Sequence, residues 1–279
     1  MKKSELIINP NGSVYHLNLT NGELATRIIT VGDPDRVSAV TRHFDEIYLT
    51  RSSREFTTVT GRLGKTDLSV VSTGIGTDNI DVVLNELQLV NSIDLRSREP
   101  LKNPPQLQVV RLGTSGAIQK DIPIDSLVIS ESALGFDGLL GFYQQDFEQP
   151  DLGLKDLPRP FWVHASQSLL DRFASVTPHR GVTVTAAGFY APQGRSLLAP
   201  ASYPNLMEHF SALSLNGQRL TNLEMETAGI YGLGSILGMH TLSISAILAN
   251  RITGAFSTQA QKTVDGMIEK ALACFSAPR

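Results

Sequence analysis

Two arginines lie where short β-branched runs meet glycine, a pattern that predicts an anion site. Ile28–Val31 is followed by Gly32, and Arg36 falls in the first turn of a helix that Pro34 begins. A glycine permits close backbone approach and a helix N-terminus presents free amides, so this turn is suited to an oxyanion. The residues alone equally allow an ordinary capped turn with Arg36 in solvent.

The second arginine, Arg111, lies inside the predicted strand Leu107–Leu112, and hydroxyl donors follow it in Gly113-Thr114-Ser115-Gly116. A charged side chain in a central strand is costly unless it is paired, which favours a ligand or network residue over a surface residue. Ligands of open α/β sheets bind at the carboxyl ends of strands. Arg36 and Arg111 therefore indicate one shared anion, and phosphate fits it.

Two further clusters carry polar chemistry. Glu224 and Glu226 would face the same side of an extended segment, where carboxylates can hold vicinal sugar hydroxyls. The same spacing suits a helix N-terminal turn that simply favours acids. Gln193 and Arg195 lie close after Phe189, and the three offer an amide, a guanidinium with several N–H donors and an aromatic face that could bind a planar heterocycle. An ordinary loop has this composition too.

Alternating strands and helices must position these residues. Near-continuous apolar runs predict strands covered on both faces, namely Ile28–Val31, Leu68–Thr73, Leu107–Leu112, Ser126–Ser130, Val182–Ala186 and Thr241–Leu248. Helical spacing predicts Asp78–Asn91 with Asp78 as N-cap, Met225–Leu237 and Gln259–Phe275. The layout indicates a single α/β domain over residues 1–279. Glu99–Pro105 and Gln149–Pro160 are interpreted as surface loops or insertions.

Composition excludes several classes of partner. Lys and Arg total 24 against 27 Asp and Glu, a formal net charge of -3, so no global charge favours nucleic acid or an anionic membrane. One cysteine, Cys274, allows no internal disulfide and no thiolate zinc cluster. The absence of a signal segment and of a membrane-length apolar run predicts a soluble, cytoplasmic protein. Arg, the residue of bidentate phosphate recognition, supplies 16 of the 24 basic residues.

Several short motifs fail at a required position. Gly64-Lys65-Thr66 lacks the earlier glycine of a P-loop, because Val59 stands there. Gly74-Ile75-Gly76 lacks the third glycine of a dinucleotide fingerprint, which would fall at Asn79. Ser115 does not lie in a nucleophile elbow, and the histidines show no metal-ligand spacing. We therefore expect neither covalent catalysis nor a metal site.

Taken together, these residues resemble the nucleoside phosphorylases, and the uridine phosphorylase branch in particular. The similar segments occur in family order from residue 15 to residue 251 and so cover nearly the whole chain. They are Tyr15-His16-Leu17, Val31–Val37, Ser53–Thr58, Ser72–Gly76, Arg111–Ala117, Phe189 with Gln193 and Arg195, Glu224-Met225-Glu226 and Asn250-Arg251.

The resemblance implies three groups of site residues. Those for phosphate are Gly32, Arg36, Arg111 and Thr114, with Arg54 reaching in from a neighbouring subunit. Those for ribose are Glu224, Met225 and Glu226, with His16 of the neighbour on the 5′-hydroxyl. Those for uracil are Gln193 and Arg195, stacked near Phe189 and supported by Arg251, and the implied catalytic residues are Arg195, Gln193 and Arg251.

The resemblance also implies a fold, an assembly and a reaction. The fold is a three-layer α/β/α sandwich around a mixed, barrel-like central sheet, with sites at dimer interfaces, usually within a hexamer. The reaction is phosphorolysis of uridine, or of deoxyuridine or thymidine, to free base and pentose 1-phosphate. Phosphate is then the nucleophile, so the protein has to position it and stabilise the departing base. No cofactor is expected beyond this co-substrate.

Some positions depart from the family pattern. Purine-cleaving relatives carry an aspartate near Asn250, so Asn250-Arg251 with the Gln193 and Arg195 pair favours uridine over inosine. Some relatives hold a monovalent cation at positions matching Glu55 and Ile75, but Asn79 replaces their serine, which puts a potassium site in doubt. The segment 91–106 is longer than the family's connection.

Other functions remain open alternatives. A purine nucleoside phosphorylase or a nucleosidase would share this fold, although a hydrolase that uses water has no anion to justify Arg36, Arg54 and Arg111 together. A non-catalytic nucleoside-binding protein is a third alternative, and the completeness of the site residues argues against it.

Overall fold

A large mixed sheet positions most of the residues singled out above. The computed structural model describes residues 1–155 and 157–276. Its strands are β1 (Arg27–Val31), β2 (Glu46–Ser53), β3 (Phe56–Leu63), β4 (Thr66–Ser72), β5 (Ile93–Asp94), β6 (Glu99–Pro100), β7 (Gln108–Ala117), β8 (Leu127–Gly135), β9 (Phe161–His164), β10 (Arg180–Thr185), β11 (Ser214–Leu215), β12 (Gln218–Glu224) and β13 (His240–Asn250). Its α-helices are α1 (Pro34–Thr41), α2 (Thr77–Ser92), α3 (Gln167–Arg172), α4 (Leu206–Ala212), α5 (Thr227–Ile236) and α6 (Ala260–Ser276).

The sheet closes on itself at one end. Around the ring, β7 pairs with β13, β13 with β8, β8 with β10 and β10 with β12, and β12 returns to β7 through an antiparallel pairing. From β7 the sheet continues outward through β1, β4, β3 and β2. Parallel pairs such as β1 with β7 lie beside antiparallel pairs such as β2 with β3. The predicted mixed, barrel-like sheet is confirmed.

Helices cover both faces of this sheet. Apolar side chains of α1, α3 and α6 pack on one face, where Ile29, Leu112 and Ile244 are fully buried. Side chains of α2 and α5 pack on the opposite face, together with the N-terminal segment. A smaller cluster joins α4 to β10 and β12. The three layers of the predicted sandwich follow from apolar strands that bury side chains on both faces.

The predicted strands and helices are present with shifted ends. The strand predicted to end at Leu112 continues to Ala117, because its second half pairs with both β13 and β12. Asp78 is not the N-cap of α2; Gly76 holds that position, and Asp78 lies in the first turn. Met225 precedes its helix, which begins at Thr227 because Glu226 takes the N-cap position. Gln259 likewise precedes α6.

The predicted surface loops are partly correct. Glu99–Pro105 is not a loop throughout, because Glu99–Pro100 pairs with Ile93–Asp94 as a short hairpin. Within the segment 91–106, Leu95 N–H donates to the side chain of Asn21 and so connects this hairpin to the N-terminal segment. Asp156 of the predicted loop Gln149–Pro160 lies outside the described residues, and the described remainder holds no strand or helix.

No helix within residues 1–155 and 157–276 has the length and apolar character needed to cross a membrane. Strand β2, in which every residue is exposed or half-buried, was not predicted. Nor was β12, whose buried positions include Thr221 and Asn222 and therefore show no apolar run.

Candidate functional site

The turn after β1 is built as its sequence predicts. Asp33 caps α1 by accepting a hydrogen bond from Asp35 N–H at 2.9 Å, and Pro34 occupies the first turn. Gly32 lies against the Gly74 carbonyl, so the turn after β1 and the turn after β4 meet. Arg36 extends from the first turn of α1 toward β7, where its Nη1 donates to the Leu112 carbonyl at 3.4 Å. The anion site predicted at this turn therefore adjoins the strand that carries Arg111.

Arg111 is the centre of the site. Its side chain is buried, and its Nη2 lies 2.5 Å from Glu226 Oε2 and 3.1 Å from Glu224 Oε2. The other terminal nitrogen, Nη1, is buried and has no partner among the described residues. Burial by itself would lower the pKa of Arg111, but the charges of the two glutamates outweigh it and raise that pKa. Arg111 thus keeps its charge and has an unused donor.

The guanidinium of Arg111 lies over Gly113, two residues further along its own strand. A side chain at Gly113 would overlap Arg111 Nη1, so this close approach requires glycine at that position. Thr114 is the next residue of β7 and is half-buried. The segment predicted to follow the strand is therefore part of the strand itself, and Thr114 is the neighbour of Gly113, over which the guanidinium lies.

The two glutamates have different surroundings. Glu224, the last residue of β12, accepts hydrogen bonds from the backbone N–H of Glu226 and Thr227 and from the Thr185 hydroxyl. It therefore caps α5, and burial raises its pKa although Arg111 opposes that shift. Glu226 instead accepts from the Gly76 amide at 2.8 Å. The helix-turn interpretation is thus right for Glu224, which caps a helix, whereas Glu226 joins Arg111 to the N-terminus of α2. The sugar-binding role of the pair stays a prediction.

Arg36 completes a group of four charges. Burial and then the charge of Arg111 lower the pKa of Arg36, while Asp33 and Glu226 oppose this. Two guanidiniums and two carboxylates leave the group formally neutral. An added anion would meet Arg36 and the free Nη1 of Arg111, so the group is suited to accept one.

A second cluster lies in the loop after β10. Arg195 Nη1 donates to Gln193 Oε1 at 2.6 Å and to the Phe189 carbonyl at 2.5 Å. The guanidinium carbon of Arg195 lies 3.8 Å from the centroid of the Phe189 ring. Arg251 Nη2 donates to the Gln193 carbonyl at 3.1 Å, while Arg251 Nη1 is buried without a partner among the described residues. The structure therefore brings together the four residues expected to contact a planar base.

The two clusters meet at β7. The stem of Arg251 lies against Gly116, two residues beyond Thr114 on the same strand. Burial, and next the charge of Arg251, lower the pKa of Arg195, and burial lowers the pKa of Arg251. Met225 is half-buried between the two glutamates. An anion at Arg111 and a flat ring at Gln193 would thus be bound on either side of the residues 114–116.

His16 and Arg54 lie apart from this centre. Arg54 is stacked over the Tyr15 ring at 5.2 Å, and that ring contacts His16 edge-on at 4.8 Å between centroids. Within the part of the chain that the structure describes, no hydrogen bond or ion pair joins this trio to Arg111 or Glu226. His16 is bonded to Glu86, ten residues along α2 from the Gly76 amide, which is about 15 Å at helical rise. His16 is therefore too far along α2 to reach the Glu226 of its own chain.

Arg54 has an unusual backbone conformation. It occupies the first position of the two-residue turn between β2 and β3, with φ of 54°. A hairpin turn with positive φ at that position favours glycine. Arginine occupies this position instead, and its guanidinium contacts the Tyr15 ring.

Two contributors were missed from the sequence. The Gly76 amide gives no sequence signal, because its hydrogen bond to Glu226 spans 150 residues. Glu86 does give one: it is an acid on the face of α2 that otherwise buries Val83, Leu87 and Val90. Among the described residues, no group of three or more His, Cys, Asp or Glu side chains is arranged to hold a metal ion.

Comparison with known proteins identifies the family of this chain. The family model of the phosphorylase superfamily matches residues 26–276. The chain is 30% identical to a uridine phosphorylase of Thermococcus kodakarensis over 254 residues, covering 90% of this chain and 82% of that protein. It is 27% identical to a uridine phosphorylase of Haemophilus influenzae, covering 93% and 94%. A purine nucleoside phosphorylase of Lactococcus lactis is 25% identical, covering 88% and 91%.

Solved structures give the same result. A Trypanosoma brucei nucleoside phosphorylase described as showing uridine phosphorylase activity superposes with a TM-score of 0.83 at 27% identity, covering 96% of this chain and 99% of that one. A Toxoplasma gondii purine nucleoside phosphorylase, with a TM-score of 0.72 at 17% identity and coverage of 97% and 98%, shares the fold. The chain belongs to the phosphorylase superfamily.

Proposed function

We propose that this protein is a pentosyltransferase that cleaves uridine with inorganic phosphate, giving uracil and ribose 1-phosphate. The observation that carries the proposal is the Arg111 guanidinium, whose Nη2 is held by Glu226 and Glu224 while the buried Nη1 has no partner among the described residues. A buried donor without a partner is costly, and an anion at this point would satisfy it. A hydrolase that used water would have no need of Arg36 beside it.

In the proposed reaction, a phosphate oxygen attacks C1′ of the ribose as the bond from C1′ to uracil N1 breaks. The bonding electron pair leaves with the uracil ring, and the transition state has oxocarbenium character. Arg36, Arg111, Thr114 and the Gly32 turn hold the phosphate, and Glu226 with Met225 holds the ribose. Positioning of the two reactants and stabilisation of the departing anion supply the catalysis.

The cluster after β10 supports a pyrimidine as the leaving group. The Gln193 amide offers a donor and an acceptor, which complement the N3–H and a carbonyl oxygen of uracil. The guanidinium of Arg195, fixed over the Phe189 ring, faces the charge that develops on the base, and Arg251 supports Gln193 from behind. We propose that these are the catalytic residues and that no resident cofactor is needed.

The position of His16 and Arg54 supports a dimer as the smallest active unit. Both side chains lie beside Tyr15, away from Arg111 of the same chain. We propose that they complete the ribose and phosphate sites of a neighbouring subunit. The hexamer and the cytoplasmic location stay predictions.

Release of free base in four parallel reactions tests the function. The protein is incubated with uridine, thymidine or inosine, each with phosphate, and with uridine alone. Uracil release that depends on phosphate is expected. Release from uridine without phosphate would indicate a nucleosidase, and release from inosine alone would indicate a purine phosphorylase.

Mixing two inactive variants tests the dimer. In a hybrid of Arg54→Ala and Arg195→Ala chains, one site receives both defects and the other receives neither. Random pairing at equal amounts should therefore restore about a quarter of the wild-type activity. Failure to restore any activity would mean that Arg54 serves its own chain.

A further inference from the structure

Glu86 is a buried carboxylate to which the proposed reaction gives no direct role. It is only 7% exposed and lies on α2 among apolar neighbours. Its oxygens accept four hydrogen bonds from three N–H groups, and every donor belongs to one short stretch of the N-terminal segment. A buried acid whose partners are so concentrated holds that stretch in one conformation.

The contacts define both the position of His16 and the tautomer of its neutral ring. His16 N–H donates to Glu86 Oε1 at 2.9 Å, and Leu17 N–H donates to Oε2 at 2.8 Å. His16 Nδ1 lies 2.7 Å from Oε1. A carboxylate can only accept, so Nδ1 must carry a proton, and in the neutral ring Nε2 is left as an acceptor.

We infer that Glu86 is a positioning residue that presents His16 Nε2, as a hydrogen-bond acceptor, to the 5′-hydroxyl of a nucleoside bound by the neighbouring subunit. The inference rests on the proposed function. The side chain of His16 is 31% exposed, so one edge of the ring remains free for such a partner while the other is bonded to Glu86. Tyr15 limits rotation of the ring from the side.

The specific consequence is a contribution that depends on the 5′-hydroxyl. Glu86→Gln replaces one acceptor oxygen by an N–H donor, which must then face His16 Nδ1–H or a backbone N–H, so the ring loses its fixed orientation and Nε2 is no longer held toward the hydroxyl. We expect KM for uridine to rise about tenfold with kcat little changed, since ground-state and transition-state binding through the hydroxyl are lost together. For 5′-deoxyuridine, which lacks this hydroxyl, KM should be the same in the variant and the wild type.

Glu23→Gln is the matched control. Glu23 also fixes part of the N-terminal segment, since it accepts from Thr20 N–H at 2.8 Å and pairs with Arg51 of β2 at 2.7 Å, but it makes no contact with His16 among the described residues. It should leave the ratio of kcat/KM for uridine to that for 5′-deoxyuridine unchanged. If Glu86→Gln lowers kcat/KM equally for both nucleosides, or for neither, the positioning role is wrong.

A second pair of variants avoids the buried carboxylate. In His16→Gln the side-chain amide reaches the place of Nε2, whereas in His16→Asn it reaches only that of Nδ1. Preference for uridine over 5′-deoxyuridine should persist in the first and disappear in the second, and equal behaviour of the two would overturn the inference. A wild type that releases no uracil from uridine and phosphate would overturn the proposed function as well. If the wild type is active but Glu86→Gln lowers kcat/KM equally for the two nucleosides, only the role of Glu86 is wrong.

Discussion

The guanidinium of Arg111 and the carboxylate of Glu226 are joined by a contact of 2.5 Å between Nη2 and Oε2. Under the proposed function, one partner holds phosphate and the other holds ribose. The same contact therefore orients both reactants, because movement of either side chain displaces the other. Binding of phosphate to the free Nη1 should in turn fix Glu226 for the ribose.

The two glutamates on Arg111 should both support stability but differ in their effect on activity. Both are buried and paired with Arg111, and Glu224 also caps α5, so Glu224→Gln and Glu226→Gln should each lower the free energy of unfolding by about 3 kcal/mol. Glu226→Gln should in addition reduce kcat/KM for uridine roughly 100-fold, because the sugar hydroxyls lose a charged acceptor, and Glu224→Gln should reduce it much less. Urea unfolding and steady-state kinetics on both variants test this, and equal losses of kcat/KM would contradict it.

Arg195→Ala should abolish most turnover while the protein folds normally. The side chain is half-buried in a loop, and its removal takes away the charge that faces the departing base. We expect kcat to fall roughly 100- to 1,000-fold with an unchanged melting temperature. Arg195→Lys keeps a charge without the planar fork and should recover only part of the loss. Full activity in the alanine variant would mean that the role of Arg195 is misassigned.

Gly113→Ala should disable the phosphate site without replacing any side chain that bears charge. The added methyl would overlap Arg111 Nη1 and push the guanidinium away from its position over β7. We expect KM for phosphate to rise at least tenfold, whereas KM for uridine should change less. Gly12→Ala is unsuitable as a control because of its positive φ; Gly266→Ala, in α6 and with open space around it, should leave both constants unchanged.

Glycine at position 54 should give a more stable protein than alanine but no more activity. Arg54→Gly suits the left-handed conformation at φ of 54°, whereas Arg54→Ala keeps the steric strain. The glycine variant should be more stable than the alanine variant by about 1 kcal/mol, and both should lose phosphorolysis to the same extent. Thermal unfolding combined with activity tests this. An active glycine variant would show that the side chain is not needed.

Asp125 should make stability depend on pH in the acidic range. Its carboxylate accepts from the Ser257 hydroxyl at 2.5 Å, the Thr263 hydroxyl at 2.8 Å and the Gln259 amide at 3.2 Å, and these hydrogen bonds, led by that of Ser257, lower its pKa from the ordinary 3.8. A lowered pKa stabilises the folded state above the ordinary value, and this stabilisation is lost as pH falls through the lowered pKa.

The matched variant is Asp125→Asn, since asparagine tolerates the positive φ of 63° at this position. The wild type should be more stable than this variant at neutral pH, and the difference should shrink as pH falls below 3.8. Urea unfolding at a series of pH values measures it. A difference that stayed constant down to the lowest pH would contradict the prediction.

Local signals predicted much of the fold. The capped turn from Asp33 to Arg36 is encoded within a few residues, and apolar runs predicted β1, β4 and β13 because those strands are buried on both faces. The strand β2 escaped prediction because it is exposed, and β12 because its buried positions are polar. Apolar patterning cannot detect either kind of strand.

The site was predictable as a set of residue types but not as a geometry. Spacing alone left Glu224 and Glu226 undecided between a helix turn and a sugar site. Their partner Arg111 lies 115 residues before Glu226 in the chain, and only the closed sheet brings the two together. The roles of His16 and Arg54 came from the family resemblance, since no local pattern distinguishes them from surface residues.

Closure of the sheet also has a consequence for folding kinetics. The pairing of β12 with β7 joins distant parts of the chain, as does the hydrogen bond from Asn222 to Ser115, 107 residues apart. Contacts of such long sequence separation form slowly, because loop-closure entropy opposes them. Arg111 and Glu224 lie on these two strands, so no early intermediate can hold a working centre. Return of activity during refolding should therefore lag behind the return of helical structure.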